Sequence, residues 1–299
     1  MLRQSTSMLC AGVSRSLSSL RSLHREFLDL VKDNGDEDGA ITARHINDRV
    51  REIKISNTRT KNSITGKMMN ELADIVDNLE LPSDPLDQTV AILLRGEGDT
   101  FCSGADLSLV RNTVNTPGRG EMMSLFMTDC LNRFLSSKYI SCCVINGPAI
   151  GGGAEITTSC DFRVMVESER SYVQFIHCTL GASTGFGGSS RLSSVVSRQS
   201  ALLFLSSSSR ISVQTGLQTG YINEKIECST DMQMIDASLK FISPFTNQKF
   251  YNAVRSFKSI VSQNFSKKKD DFDFETAVFK GRWMSGDNKS ALHRKDISS

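Results

Sequence analysis

Three consecutive glycines, Gly151 to Gly153, separate a short apolar run from a segment of helical spacing. They lie within residues 144–161, VINGPAIGGGAEITTSCD. The apolar run from Tyr139 to Ile145 stops at Asn146-Gly147-Pro148, and the helical segment begins at Ala154. This order predicts a buried strand, a tight turn and a helix N-terminus. Glycine is the residue least able to hold one conformation, so three together indicate backbone needed where side chains would obstruct. The first N–H groups of a helix have no intrahelical partner and stand at the positive end of its dipole. The stretch therefore fits a site for a partly negative ligand oxygen. A close-packed helix–strand crossing with no ligand fits it equally well.

The same order recurs along the chain. TVAILLRG (89–96) is a short, continuous apolar run and predicts a fully buried strand. GEGDTFCSGADL (96–107) follows, with glycines at 96, 98 and 104, and a second helix start has Asp106 in its first turn. Further buried strands are predicted at Phe162–Val166 and near Tyr172–Phe175, and a glycine loop enters a helix at 181–192. Before these, Val50–Ser56 alternates as a weak strand and 57–63 reads as a polar loop. From Ile64 a helical stripe of Met68, Leu72, Ile75 and Leu79 runs to Pro82 and Pro85, and residues 119–136 form an amphipathic helix. Strand, glycine loop and helix in repetition predict an α/β fold with strands buried on both faces. After about residue 206 the period is mostly helical, over 212–219 and 230–280, with Gly220 as a C-cap and Pro244 as a break. KKKDD (267–271) reads as a solvated charge run. Three parts follow: a basic tail and linker over 1–40, a core over 41–206, and a helical region over 207–299, with the folded part starting near Ile41.

Composition narrows the partners. A net charge of +2 argues against nucleic acid, and no apolar run approaches the ~18–20 residues of a membrane span. The eight cysteines form no CxxC pair and no metal-type spacing; Cys102, Cys142, Cys143, Cys160 and Cys178, in or beside apolar segments, read as reduced buried thiols. Residues 1–25 carry four arginines, seven serines and no acid, which suits a mitochondrial presequence or a disordered basic tail.

The motifs RGEGDTFCSGADL (95–107), INGPAIGGGAEITTSCDFRV (145–164) and GFGGSSRL (185–192), with NTRTKNSITGKM (57–68), resemble the crotonase (enoyl-CoA hydratase/isomerase) superfamily. The resemblance covers roughly residues 41–226. It implies a spiral of β-β-α turns with a helical C-terminal trimerisation region, assembled as a homotrimer or homohexamer. VFKGRWMSGDNKSAL (278–292) and His177 narrow it to a branch that removes the carboxylate of ethylmalonyl-CoA and methylmalonyl-CoA, a metabolite-repair activity in the cytosol; the mitochondrion is the alternative compartment.

Carried over by position, the resemblance implies that the backbone N–H groups of Ala105 and Gly152 hold the thioester oxygen, with Gly104 and Gly151 beside them in contact with substrate. Decarboxylation of a malonyl-type thioester sends an electron pair into the carbonyl, and donors aimed at that oxygen stabilise the enolate. The substrate carries its own electron sink, so no metal or organic cofactor is required. Glu155 falls where hydratases carry a catalytic glutamate, although an acid in a first helical turn is favourable without any such role. His177 replaces a second glutamate; it could bind the substrate carboxylate or protonate the enolate, or be a satisfied core histidine. Arg59 and Lys61 lie where the resemblance places the CoA nucleotide, or in a solvated loop. Residues 182–186 read ASTGF, whereas relatives commonly carry a proline near Thr184. A hydratase or isomerase using Glu155, and a non-catalytic CoA-thioester-binding protein, are the competing readings.

Overall fold

The computed structural model describes residues 17–32, 39–81, 86–266 and 269–292. In chain order the elements are α1 (Leu17–Val31), β1 (Ala40–Asn47), β2 (Val50–Ser56), α2 (Gly66–Glu80), β3 (Ala91–Gly96), α3 (Pro117–Ser136), β4 (Ile140–Ile145), β5 (Ala149–Ile150) and α4 (Gly152–Thr157). They continue with β6 (Phe162–Val166), β7 (Tyr172–Gln174), α5 (Gly188–Val195), α6 (Arg198–Ser207), β8 (Ile211–Ser212), α7 (Val213–Thr219) and β9 (Glu224–Ile226). Four helices close the chain: α8 (Asp231–Thr246), α9 (Tyr251–Ser266), α10 (Lys269–Arg282) and α11 (Gly286–Leu292).

The apolar runs become strands because both of their faces are covered. A sheet of order β1-β2-β3-β4-β6-β9 is parallel except for the antiparallel β1–β2 pair. Ile92, Leu94, Cys143 and Ile145 pack in one cluster with α2 and α3, while Ala91, Leu93, Cys142 and Val144 pack in another with Met234 and Ile242 of α8. Successive strand residues point to opposite faces, so a sheet covered twice needs apolar residues at every position.

A second sheet, β5-β7-β8, runs alongside, and the single-residue bridges Ile64–Ala105 and Cys102–Ala149 extend it. Each turn of the chain thus places one long strand in the large sheet, one short segment in the small sheet, and then a helix start. The turns are β2, Ile64 and α2; β3, Cys102–Ala105 and the helical segment 107–113; β4, β5 and α4; β6, β7 and the 3₁₀ turn Ile176–Leu180. This is the expected β-β-α spiral. Its consequence is that consecutive helix N-termini line up along one edge of the small sheet.

Several expectations need correction. The folded part does not start near Ile41. Phe27 and Val31, four residues apart on α1, are fully buried, and Phe27 packs on Phe126 of α3 with ring centroids 5.1 Å apart. The arginine- and serine-rich composition of residues 1–25 hides this stripe. Val50–Ser56 is a central strand rather than a weak one, because β1 and β3 pair with it on either side. The helical region does not begin at residue 207, since β9 still joins the large sheet beside β6. Pro244 does not break α8; it sits inside its last turn, and the helix ends at Thr246. Cys178 is exposed, while Cys102, Cys142, Cys143 and Cys160 are buried as expected. Gly220 does cap α7, with φ +74°. Residues 1–16, Pro82 and Pro85, and the side chains of 267–271 lie outside the described residues. Among the described residues, no helix is long and apolar enough to cross a membrane.

Candidate active site

The geometry starts from the two bridges. Ile64 N–H donates to Gly104 O (2.8 Å) and Asp106 N–H donates to Ile64 O (3.0 Å). Successive residues of an extended segment turn their polar groups to opposite sides, so the N–H of Ala105, between them, faces away from Ile64. On the neighbouring rung, Ile150 N–H donates to Cys102 O (2.9 Å) and Gly151 N–H to Gln174 O (2.9 Å). The next N–H, that of Gly152, is the first of α4. Among the described residues, neither the Ala105 nor the Gly152 N–H has an acceptor.

Gly104 lets the two loops touch. Its φ is +104°, and a Cβ there would stand 3.0 Å from Ile150 O and 3.2 Å from Gly152 N. A side chain would strain the backbone and fill the gap between the donor loops. Gly152 is overhung by Phe186, whose Cε2 would be 2.7 Å from a Cβ at that position. Ile176 lies against Gly151, so the 3₁₀ turn carrying His177 stands beside this loop.

Glu155, on α4, is almost fully buried. Its Oε1 accepts from Gly185 N–H (3.1 Å) and lies 3.0 Å from His177 Nε2; its Oε2 accepts from Phe186 N–H (2.7 Å) and Gly188 N–H (2.9 Å). An ionised carboxylate offers about four lone-pair sites; here three backbone N–H groups donate to it, and the His177 ring stands at ion-pair distance. The partner of Nε2 decides which ring nitrogen His177 has left over. That atom, Nδ1, is buried and has no partner among the described residues. Below the pair lies Arg191, buried, with its pKa pushed down by burial. It donates to Phe186 O, Asn132 Oδ1 (2.9 Å) and Thr158 Oγ1 (3.0 Å).

The structure thus brings Ala105, Gly104, Gly151, Gly152, Glu155 and His177 together. Arg59 and Lys61 are exposed on a loop docked beside the donors: Ser103 Oγ donates to Thr60 O (3.0 Å) and Ser103 N–H to Lys61 O (3.0 Å). Asp106 caps the next helical segment through Leu109 N–H (3.0 Å), and Asp161 accepts from Ser141 and Lys258; both brace backbone and elements rather than face the donors. Phe279 packs on Trp283, and Lys280 pairs with Glu121 at 2.6 Å, so both serve helix packing. Sequence reasoning missed Phe186, Arg191 and Glu275. The first two stand inside a quoted motif, GFGGSSRL, but their contacts run to residues more than thirty positions away.

Among the described residues, no group of three or more His, Cys, Asp or Glu side chains is placed to hold a metal ion. A cavity of about 1080 Å³ lies elsewhere, between α8, α9 and α5, lined by Phe162, Phe245, Phe257 and the Lys258–Asp161 ion pair.

Comparison with known proteins agrees with the fold. The enoyl-CoA hydratase/isomerase family model matches residues 45–294, and the chain belongs to that family. It is 30% identical over 294 residues to an ethylmalonyl-CoA decarboxylase of Xenopus laevis, covering 93% of this chain and 95% of that protein. It is 33% identical over 236 residues to the ethylmalonyl-CoA decarboxylase of Danio rerio, covering 78% and 76%. Among solved structures, an enoyl-CoA hydratase/isomerase from Mycobacterium paratuberculosis superimposes with a TM-score of 0.73 at 18% identity, over 84% of this chain and 96% of that one. An enoyl-CoA hydratase from Bacillus halodurans gives 0.72 at 18% identity, over 84% and 98%.

Proposed function

We propose that this chain decarboxylates short branched malonyl thioesters, ethylmalonyl-CoA and methylmalonyl-CoA, without a cofactor. The observation that carries the reading is the pairing of two N–H groups without acceptors, Ala105 and Gly152, with a carboxylate–histidine pair whose carboxylate is held by three backbone N–H groups. The similarity to ethylmalonyl-CoA decarboxylases supports the substrate class.

The C–C bond to the carboxylate breaks, carbon dioxide leaves, and the electron pair enters the thioester carbonyl. The resulting oxyanion is met by the Ala105 and Gly152 N–H groups, each worth ~10²–10³ in rate where such donors have been removed. One proton added to the α-carbon completes the reaction, RCH(CO₂⁻)COSCoA + H⁺ → RCH₂COSCoA + CO₂. With Nε2 beside the Glu155 carboxylate and Nδ1 without a partner, Nδ1 would be the atom that meets substrate. As an imidazolium it binds the departing carboxylate and then protonates the enolate. Hydration, by contrast, needs a carboxylate free to activate water. Three backbone N–H groups already occupy Glu155, and His177 stands where a second carboxylate would be needed.

Arg59 and Lys61 would meet the CoA phosphates, and Gly104 and Gly151 would border the thioester. The assembly would be a homotrimer or homohexamer and the role metabolite repair in the cytosol. Purified protein offered ethylmalonyl-CoA, methylmalonyl-CoA and crotonyl-CoA, with products followed by mass spectrometry, tests the reading. Loss of carbon dioxide from the first two is expected. Hydration of crotonyl-CoA alone would overturn the proposal.

A further inference from the structure

Two carboxylates, not one, hang from the N-terminus of α5. Glu155 takes Gly188 N–H, and Glu275, arriving from α10, takes the next two. Its Oε1 accepts from Ser189 N–H (3.0 Å) and from Thr184 Oγ1; its Oε2 accepts from Ser190 N–H (2.8 Å) and Ser190 Oγ (2.6 Å). Thr184 Oγ1 also bonds Ser189 Oγ at 2.6 Å. The first intrahelical bond follows at once, Arg191 N–H to Gly187 O. One turn beyond Glu275, Phe279 lies against Gly185, where a Cβ would be 2.7 Å from its Cε2. Residues 184–190 therefore connect two carboxylates. One belongs to the helix that starts at the Gly152 donor; the other belongs to a helix of the C-terminal region.

The placement of Glu275 costs free energy. Burial and then the Glu155 charge push its carboxyl above the ordinary range, while the serine and threonine donors pull it back. Ordinary packing of α10 on α3 needs no buried acid here, since Phe279, Trp283 and Phe272 supply an apolar face. What the acid adds is a fixed position for the amides of 184–190, and these amides fix Glu155.

We propose that Glu275, with Thr184 as its donor, is a positioning residue for the reaction: it holds the 184–190 loop so that Glu155 orients the His177 ring toward substrate. The inference rests on the reading of His177 as the proton-handling group. It does not depend on which thioester is consumed. Glu275 itself touches neither His177 nor either N–H donor.

The test uses the full-length protein and the variants E275Q, T184V and T184S. In E275Q the side-chain amide offers N–H where Ser190 N–H already donates. T184V removes one hydroxyl and leaves every charge in place; T184S restores it. Two quantities are read: kcat and KM for the thioester that wild type turns over, and the pH titration of the His177 ring by NMR, assigned by its absence in H177Q. For E275Q and T184V, kcat is expected to fall about tenfold or more, toward the ~10²-fold that a 1 Å misplacement costs, with KM little changed. The His177 titration curve is expected to be displaced from that of wild type. T184S should behave as wild type. A lowered Tm with unchanged kcat and unchanged His177 titration overturns the proposal, and so does a loss of kcat without any movement of the His177 titration. If ethylmalonyl-CoA is not a substrate at all, the function falls, yet the His177 titration in T184V still decides the coupling.

Discussion

Substitution of Gly152 can separate the electrostatic work of its N–H from the packing around it. Gly152 is the first residue of α4, where proline is well tolerated because the missing N–H has no intrahelical acceptor. Any Cβ added there meets Phe186 Cε2 at 2.7 Å, so both Gly152→Ala and Gly152→Pro overpack the same ring. That shared cost is about 1–3 kcal/mol of stability if Phe186 does not rotate away. Only the proline removes the N–H. With one of two oxyanion donors lost, the transition state should rise by about 2.7–4 kcal/mol, or ~10²–10³ in rate. The alanine variant is therefore expected to stay within about tenfold of wild type, as its donor survives. The proline variant should fall a further ~10²–10³ below alanine. Turnover would be followed by mass spectrometry of the thioester, with Tm and binding of a non-reactive thioether analogue measured on both proteins. Equal turnover of the folded proline and alanine variants would refute the role of this N–H. A proline variant that loses activity only in step with Tm would refute it too.

Gly188→Ala places a Cβ 2.5 Å from Glu155 Cγ and 2.8 Å from its Oε2, so the carboxylate must shift. A loss of about 1–3 kcal/mol in chemical denaturation is expected, together with lower turnover; wild-type stability would mean the loop is looser than described. His177→Gln should lower kcat by ~10²–10⁴, the usual worth of a positioned acid or base, and unchanged kinetics would return the residue to a packing role. Glu52, buried in β2, would be raised by burial, but Arg44 (2.5 Å) and Arg95 (2.6 Å) more than reverse this and hold it below the ordinary range. Its contribution to stability is thus present above the unfolded carboxyl pKa of ~4.3 and is lost as pH falls through the depressed folded value. Denaturant melts of E52Q should accordingly differ from wild type more at pH 7 than at pH 3, and a constant difference would contradict this. Deleting residues 1–32 removes Phe27 and Val31 from the core and should lower Tm sharply, whereas a Tm equal to wild type would show α1 to be dispensable.

Much of the fold was legible from local pattern. Residues 91–96, 140–145 and 162–166 read as strands because a sheet buried on both faces tolerates few polar positions. Ala105 and Gly152 were singled out by the motif resemblance, and the bridge pattern around Ile64 supplies the physical reason the Ala105 N–H is turned outward. α1 was hidden because two buried residues in a basic, serine-rich stretch make a weak stripe. β1 was missed because only Ile41 within it is buried and most of the strand is exposed.

The side chains proposed to handle the chemistry were legible as types but not in their partners. The residue order in GGGAE and in FIHC places Glu155 and His177 after their respective segments, and nothing local says what they bind. The groups around Glu155 are the His177 ring and the N–H groups of residues 185, 186 and 188, and the four donors on Glu275 come from residues 184, 189 and 190. Such contacts span 22 to 91 positions, and their geometry exists only once the spiral has stacked its helix N-termini along one edge. By itself the sequence determined the buried strands, the turns that glycine permits and the backbone N–H groups left over at helix starts, since these follow from local sterics and periodicity. Tertiary structure alone decided that three loop N–H groups converge on Glu155, that His177 stands beside it with Nδ1 unpartnered, and that a C-terminal helix anchors the loop through Glu275, because hydrogen bonding is a property of neighbours in space.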